Sequence, residues 1–182
     1  MLGVVLAGGE SRRMGRDKAL VEVDGEPLWK RQVGVLRAAG AERVVVGRRR
    51  GQEAIGYPDC CLDAFEGCGP LAGIHAALAI GNHPLTAVLA VDMPGIDAAW
   101  FLWLRGFCGP GAGAAAGAIG ALEPLAAIYP AEALPEAAAR LARGELSVQG
   151  LAAALAAAGR MSLVALPAVY AGRVPSLNEP PA

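Results

Sequence analysis

A short segment near the amino terminus combines two glycines with a cluster of cations. Gly8 and Gly9 carry no side chains, so the backbone N–H groups there can approach a phosphate or a base closely. Four cations follow within seven residues, namely Arg12, Arg13, Arg16 and Lys18. A triphosphate requires such a concentration of positive charge, because its own charge must be neutralised before a nucleophile attacks it. The segment therefore predicts a site for a nucleoside triphosphate, with a solvated basic loop as the alternative.

The spacing of this segment differs from two common phosphate-binding fingerprints. Five residues separate Gly9 from Gly15, and no Lys-Ser or Lys-Thr pair follows Gly15, so the segment is not a Walker A loop. It does not read G-x-G-x-x-G either. If it binds a nucleotide, it does so by a different arrangement of backbone and cations.

An aspartate is the second candidate for chemistry. Asp92 follows the apolar run 86–91 and is itself followed by Met93 and Pro94. Mg²⁺ is commonly held by one or two carboxylates together with phosphate oxygens and water. The alternative is an aspartate that caps a turn or a helix, which is common before proline. Beside the basic segment, the metal-binding role is favoured.

Apolar runs and helical periodicities alternate along the chain and must position these residues. Strands are predicted at Leu2–Leu6, 43–46, 86–91, 123–129 and 163–166, with 60–62 as a further short strand. Helices are predicted at 27–39, 71–80, 98–104 and 132–143, and Val148, Leu151 and Leu155 indicate one more. The alanine-rich stretch 113–117 looks like low complexity. The alternation predicts a single-domain three-layer α/β sandwich with a mostly parallel, Rossmann-like sheet, in which ligands bind at the carboxyl ends of the strands.

Composition limits the class of protein. The 182 residues predict one domain over 1–182, and 54% hydrophobic residues exclude a mainly disordered chain. A formal net charge of −1 argues against binding to nucleic acid or to an anionic membrane. No apolar run reaches the roughly 18 residues of a membrane span, and no basic region precedes the first apolar stretch. We therefore expect a cytoplasmic protein.

Four cysteines are spread over the chain, at Cys60, Cys61, Cys68 and Cys108. None forms a C-x-x-C pair, and only two histidines are present. A structural zinc site needs about four suitably spaced ligands. Reduced, partly buried thiols are the favoured interpretation.

The segment that begins at Leu6 resembles the signature loop of the molybdenum cofactor guanylyltransferases, the MobA-type enzymes. Their pattern is Leu-Ala-Gly-Gly-x-Ser/Ala-x-Arg-Met-Gly-x-Asp-Lys-x-Leu, and this sequence matches it at Leu6, Ala7, Gly8, Gly9, Ser11, Arg13, Met14, Gly15, Asp17, Lys18 and Leu20. Further landmarks follow in the family's order: Gly25-Glu26-Pro27-Leu28, Asp63, Gly69-Pro70-Leu71-Ala72-Gly73, Asp92-Met93-Pro94, the stretch 123–130, and Ser176-Leu177-Asn178-Glu179-Pro180. The resemblance thus spans nearly the whole chain.

The resemblance implies an activity and its substrates. It implies transfer of GMP from GTP to the terminal phosphate of molybdopterin or Mo-molybdopterin, with Mg²⁺ as the cofactor, release of pyrophosphate, and delivery proteins of the cofactor pathway as further partners. It implies catalytic roles for Arg13, Lys18 and Asp92, with Mg²⁺ on Asp92. It implies nucleotide contacts from Leu6, Ala7, Gly8, Gly9, Lys18, Asp63 and Asp92, and an active-site lining that includes Gly69, Gly73 and Asn178.

The sequence departs from the family pattern in two places. Gly47 stands where relatives have an asparagine, and Ser176 and Glu179 replace the asparagine and threonine that flank Asn178 in relatives. After Gly47, three arginines at 48–50 form either an anion-binding group or, as we favour, a solvated loop.

Other functions stay open at this stage. Leu-Ala-Gly-Gly is associated with guanine in the family, whereas the related cytidylyltransferases tend to have Leu-Ala-Ala-Gly, so we expect GTP to compete better than CTP. The alternatives are a cytidylyltransferase acting on molybdopterin, a nucleotidyltransferase of the same fold acting on a sugar or alditol phosphate, and a non-catalytic nucleotide-binding adaptor.

Overall fold

A computed structural model describes residues 1–8, 17–52, 55–62, 67–118, 121–170 and 173. Within these residues the strands are β1 (Leu2–Leu6), β2 (Glu22–Val23), β3 (Glu26–Pro27), β4 (Arg43–Arg48), β5 (Cys60–Leu62), β6 (Leu85–Ala90), β7 (Gly113–Ala118), β8 (Ala121–Leu122), β9 (Ala126–Pro130) and β10 (Met161–Val164). The α-helices are α1 (Leu28–Ala38), α2 (Pro70–Ala79), α3 (Ala98–Arg105), α4 (Leu134–Arg143) and α5 (Val148–Ala157). The alternation expected from the sequence is therefore confirmed.

One mixed sheet organises the molecule. Its strands lie in the order β10-β7-β9-β6-β1-β4-β5, and β8 pairs with β7 beside this path. The pairs β1–β4, β1–β6, β4–β5 and β7–β10 are parallel, whereas β9 is antiparallel to both β6 and β7. The sheet is thus mostly parallel, as the sequence predicts, with β9 reversed inside it.

Helices cover both faces of this sheet. On one face, α1 and α3 pack through residues such as Leu36 and Phe101, both of them fully buried. On the other face, α2, α4 and α5 pack through residues such as Ile74 and Leu151. Successive residues of a strand point to opposite faces, so the valines of β1 and β4 contribute to both layers. The three-layer α/β sandwich is confirmed.

The alanine-rich stretch 113–117 is ordered structure rather than low complexity, so that interpretation was wrong. It forms β7, between β10 and β9, and its residues Ala114, Ala115 and Ala116 are buried. A Cβ atom placed on Gly113 would collide with the carbonyl group of Ile128 in β9. Small residues are needed here because the neighbouring backbone lies so close, and this tertiary requirement overrides the helical preference of alanine.

Two further details differ from the sequence prediction. The strand predicted over 123–129 begins later, at Ala126, because the residues after β8 form a turn. A two-stranded hairpin of β2 and β3 also precedes α1, where no strand was predicted.

All four cysteines lie among the described residues; none of them forms a disulfide bond, and each is partly buried. Burial raises the pKa of the Cys108 thiol to about 11. Among these described residues, no group of three or more His, Cys, Asp or Glu side chains is placed to hold a metal ion. A search of the helices in the same residues finds none with the length and apolar character needed to cross a bilayer.

Candidate active site

The segment after β1 and the residue Asp92 leave the sheet at adjacent positions. The backbone N–H of Ala7 donates to the carbonyl of Gly47 in β4 at 2.8 Å. The N–H of Val91 donates to the carbonyl of Leu6 at 3.1 Å. Because β1 lies between β4 and β6 and runs parallel to both, the carboxyl ends of all three strands open onto one edge.

An ion pair joins the basic segment to this acid. The Nζ atom of Lys18 lies 3.3 Å from Oδ2 of Asp92, and the two side chains are 24% and 21% exposed. Asp17 helps to position Lys18 for this contact. Its Oδ1 atom accepts a hydrogen bond from the N–H of Ala19 at 3.0 Å and so caps the short 3₁₀-helix Lys18–Leu20. The far end of the segment predicted to bind a nucleotide therefore meets the residue predicted to bind the metal.

The other predicted site residues divide into two groups. Leu6, Ala7 and Gly8 lie at the end of β1, Lys18 and Asp92 are in contact, and Gly69 and Gly73 lie at the beginning of α2. Gly9, Arg13, Asp63 and Asn178 lie outside the described residues.

The beginning of α2 faces the same edge. Gly69 has φ 65° and ψ −157°, a backbone conformation that is essentially restricted to glycine, and Pro70 then occupies the first turn of the helix. Gly73 follows within that turn and is buried. This geometry explains why glycine and proline are needed there: they turn the chain into α2 beside Asp92.

A cleft of about 390 Å³ opens next to Asp92. Its walls come from the beginning of α2, the turn between β8 and β9, and the beginning of α5, and the lining residues are Pro70, Asp92, Met93, Leu122, Glu123, Pro124, Leu125, Leu146, Ser147, Val148 and Gln149. Ser147 caps α5 by accepting the N–H of Gly150 at 3.1 Å. The cleft is thus built on two helix starts and combines mostly apolar walls with two carboxyl groups.

Glu123 is the second of these carboxyl groups, and sequence reasoning assigned it no role. Burial raises the pKa of the Glu123 carboxyl, and the negative charge of Asp92 raises it further. The N–H of Leu125, which donates to Oε1 of Glu123 at 3.3 Å, partly offsets this rise in pKa. The two acids therefore repel one another across the cleft when both are ionised. A cation bound between them would relieve this repulsion.

The raised pKa of Glu123 predicts a pH-dependent gain from Glu123→Gln in the metal-free protein. When folding raises the pKa of a carboxyl group, the contribution of that group to the stability of the fold is fully present below its ordinary pKa. This contribution to stability is lost as the pH rises through the raised pKa. Glutamine stays neutral, so the variant should unfold at a higher temperature than wild type near neutral pH and at the same temperature near pH ~3.5, below the ordinary pKa of glutamate. Thermal unfolding of both proteins over this range measures the difference.

The exposed acid Glu22 provides the control for this experiment. Glu22→Gln should change the unfolding temperature little at any pH, because its carboxyl group is already solvated in the folded protein. A Glu123→Gln variant that behaves like Glu22→Gln would show that burial of Glu123 costs the fold nothing.

The last described residues return to the loop that follows Asp92. The hydroxyl of Tyr170 donates to Oδ1 of Asp97 at 2.8 Å, and its ring packs edge-on against Trp100 at 4.8 Å between centroids. Further along, a Cβ atom placed on Gly95 would collide with the carbonyl of Arg173. The close approach of Arg173 requires glycine at position 95 and brings the chain to this loop shortly before Asn178.

A buried glutamine holds the backbone on both sides of Asp92. The Gln32 side chain on α1 is fully buried, and its Nε2 atom donates to the carbonyl of Met93 at 2.9 Å and to that of Ala90 at 3.5 Å. Sequence reasoning overlooked this residue. Its signal was a polar side chain in the apolar stripe of α1, four residues from both Leu28 and Leu36.

Gln52 is a second buried glutamine that sequence reasoning missed, and it is 3% exposed. Its Nε2 atom donates to the carbonyl of Ala7 at 3.0 Å and to Oδ2 of Asp17 at 2.6 Å. Its Oε1 atom accepts the N–H of Arg49 at 2.9 Å. No periodicity or spacing in the surrounding loop indicated a buried residue at this position.

Gly47, which departs from the family pattern, lies in β4 beside Leu6. A Cβ atom there would find the carbonyl of Val5 at 3.6 Å and the Sγ atom of Cys61 at 3.7 Å, which are ordinary contacts. The backbone therefore does not require glycine at this position. Arg49 and Arg50, which follow, are exposed.

Comparison with known proteins assigns the chain to a family. The sequence model described as "MobA-like NTP transferase domain" matches residues 3–161. This chain belongs to the MobA-like NTP transferase family. The match confirms the resemblance carried by the first segment and identifies the chain as a nucleotidyltransferase.

Individual relatives of this family agree. A protein of Opitutus terrae named probable molybdenum cofactor guanylyltransferase is 52% identical over 184 residues, which cover 99% of this chain and 91% of that protein. The solved structure of molybdopterin-guanine dinucleotide biosynthesis protein A from Archaeoglobus fulgidus has a TM-score of 0.67 at 25% identity, covering 92% of this chain and 83% of that chain.

Proteins with other names also share this fold. The 2-C-methyl-D-erythritol 4-phosphate cytidylyltransferase of Thermus thermophilus superposes with a TM-score of 0.69 at 19% identity, covering 98% of this chain and 93% of that chain. At this identity the likeness shows the fold alone. The acceptor substrate therefore has to be argued from the site and not from the architecture.

Proposed function

We propose that this protein transfers GMP from GTP to the terminal phosphate of molybdopterin or Mo-molybdopterin and releases pyrophosphate. The observation that carries the proposal is the contact between Lys18 and Asp92, which joins the glycine-rich basic segment to an acid at the carboxyl edge of the sheet. The Opitutus terrae relative, 52% identical over nearly the full chain, supports the choice of substrates.

The donor nucleotide lies along the first segment in this proposal. Leu6, Ala7, Gly8, Gly9 and Asp63 contact the nucleoside and the α-phosphate, because the chain near the end of β1 can come close to a ligand. Arg13 and Lys18 bind the β- and γ-phosphates and neutralise the charge that builds up on the departing pyrophosphate. Lys18 is already held at the edge of the sheet by the cap that Asp17 provides.

The acids at this edge fit a hydrated divalent cation. Asp92 and Glu123 line one cleft and supply oxygen ligands only, which suits Mg²⁺ more than a softer metal. Asp92 holds the ion in our proposal, and Glu123 faces it. When bound, Mg²⁺ would withdraw charge from the phosphate oxygens of the nucleotide.

The acceptor occupies the cleft beside Asp92. Its walls of proline and leucine side chains suit a flat heterocycle, and the beginning of α2 at Gly69 offers backbone N–H groups to a phosphate. Gly73 lies within the first turn of α2, and we assign Asn178 to the same lining. An oxygen of the acceptor's terminal phosphate then bonds to the α-phosphorus of GTP, while the bond from that phosphorus to the bridging oxygen breaks and pyrophosphate leaves.

Calorimetry with GTP, CTP and ATP in the presence of Mg²⁺ tests the choice of base. We expect GTP to bind at least about tenfold more tightly than CTP, a difference of ~1.4 kcal/mol. The bound mixture is then incubated with molybdopterin, and mass spectrometry identifies the product. Equal competition by GTP and CTP would remove the guanine assignment.

The same experiment separates the other functions. A product that carries CMP would indicate a cytidylyltransferase. The incubation is repeated with sugar and alditol phosphates, and pyrophosphate release with these acceptors alone would indicate a different acceptor. Nucleotide binding without any product would indicate an adaptor. The delivery proteins remain a prediction that this experiment does not address.

A further inference from the structure

Gln52 bridges the two ends of the segment that we propose to bind the nucleotide. One N–H of its amide reaches the carbonyl of Ala7, where the segment leaves β1, and the other reaches the carboxylate of Asp17, where the segment ends. The amide oxygen accepts the N–H of Arg49 and so ties both ends to the loop after β4. One side chain thus bonds the backbone of Ala7, the backbone of Arg49 and the carboxylate of Asp17 at the edge of the sheet.

The contact with Asp17 connects Gln52 to Lys18. Asp17 uses Oδ2 for Gln52 and Oδ1 for the N–H of Ala19, so its carboxylate is oriented from both sides. The capped 3₁₀-helix begins at Lys18, whose ammonium group reaches Asp92. The position of the Lys18 ammonium group is therefore set through Asp17 by the amide of Gln52.

No other side chain of similar size reproduces these bonds. An amide offers two donors and an acceptor, and all three functions are used here. A glutamate would place a second carboxylate against that of Asp17, and a methionine would form none of these three hydrogen bonds and would leave the buried carbonyl of Ala7 without the one from Gln52. The residue is 3% exposed, so water is poorly placed to substitute for the amide.

We propose that Gln52 is a positioning residue for the triphosphate of the donor nucleotide, an inference that rests on the proposed function. Its amide holds Ala7 and Asp17, which lie on either side of residues 9–16, at a constant separation before the nucleotide binds. The triphosphate then meets the Lys18 ammonium group already held in place, and less ordering is required at the moment of binding. Gln52 acts through Ala7, Asp17 and Arg49 and does not itself touch the substrate.

Steady-state kinetics of Gln52→Met and Gln52→Glu provide the first test. We expect the KM for GTP to rise roughly ten- to a hundredfold in both variants, which corresponds to the loss of buried hydrogen bonds. At saturating GTP, kcat should fall much less, and the KM for the acceptor should stay near that of wild type. A merely destabilising change would instead lower the amount of active enzyme and leave both KM values unaltered.

Thr86 supplies the matched control, because it is also a buried polar residue but lies near the beginning of β6, at the opposite edge of the sheet. Thr86→Val should leave the KM for GTP at the wild-type value, whatever it does to the unfolding temperature. If the Gln52 variants show the same KM as Thr86→Val, Gln52 does not position the nucleotide.

Hydrogen exchange tests the inference without any nucleotide. In Gln52→Met, peptides that cover residues 7–17 should exchange faster than in wild type, while peptides from α4 and α5 exchange at the wild-type rate. Unchanged exchange over 7–17 would overturn the proposal. If exchange accelerates but wild type neither binds GTP nor forms product, the proposed function fails while Gln52 still organises the segment.

Discussion

Replacing Asp92 by alanine is expected to abolish formation of the dinucleotide product and to leave the unfolding temperature of the metal-free protein nearly unchanged. The carboxylate lies at the rim of the cleft and pairs with a Lys18 that is itself 24% exposed, so its loss costs the fold roughly 0–1 kcal/mol. In catalysis its loss removes the proposed metal ligand. Loss of one group that stabilises transition-state charge typically lowers kcat by about 10²–10³, and we expect at least that.

Three measurements check this expectation. Pyrophosphate release gives the rate, calorimetry gives the affinity for Mg²⁺ and GTP, and thermal unfolding without metal gives the stability. The wild-type rate in Asp92→Ala would show that Asp92 is not the metal ligand.

Asp59 offers a matched control. It is an acid that forms a bidentate ion pair with Arg43, with both N–O distances at 2.7 Å, at the beginning of β4 and therefore at the opposite edge of the sheet. The hydrogen bond from Arg43 lowers the pKa of the Asp59 carboxyl. Asp59→Asn should lose a little stability and retain full turnover, the reverse of the pattern expected for Asp92→Ala.

Replacing Lys18 by methionine is expected to lower kcat/KM for GTP by about 10²-fold, which corresponds to ~2.7 kcal/mol of transition-state stabilisation. Methionine retains the length of the side chain and removes its charge. The charge on the departing pyrophosphate then lacks a compensating cation, and Asp92 loses the partner 3.3 Å away. Both effects act on the reacting phosphates, so kcat as well as KM should change.

Lys30 provides a control of the same residue type. It forms an ion pair with Glu26 at 3.4 Å on the exposed side of α1, where its side chain is 62% exposed. Lys30→Met should leave kcat/KM unchanged, whereas Lys18→Arg should recover part of the loss because it restores the charge with a different geometry. Equal kinetics in Lys18→Met and Lys30→Met would contradict the role proposed for Lys18.

Much of this site can be predicted from the amino-acid sequence alone. Glycines at 8 and 9, cations up to Lys18 and an aspartate after an apolar run are local signals, and each depends only on neighbouring residues. The order of strands and helices is readable for the same reason, since hydrophobic periodicity and capping residues act over a few positions. These signals sufficed to predict the fold class and to favour Asp92 as a metal ligand, whereas the family resemblance was needed to select Lys18 among the four cations.

Other features required the folded chain. Lys18 and Asp92 are 74 positions apart, and only the placement of β1 between β4 and β6 brings them together. The reversed direction of β9 and the close backbone at Gly113 turn an alanine-rich stretch into a central strand, against its local preference.

The buried glutamines illustrate the same division. Gln32 interrupts an apolar helical stripe and could have been noticed, but its acceptors are carbonyls near Asp92, far away in sequence. Gln52 lies in a loop without periodicity, and its importance arises from two partners that are distant in sequence, the carbonyl of Ala7 and the carboxylate of Asp17. Local sequence determined which elements form and which side chains carry charge. Tertiary structure decided which of them meet, because strand order and buried hydrogen bonds depend on packing between segments remote in the chain.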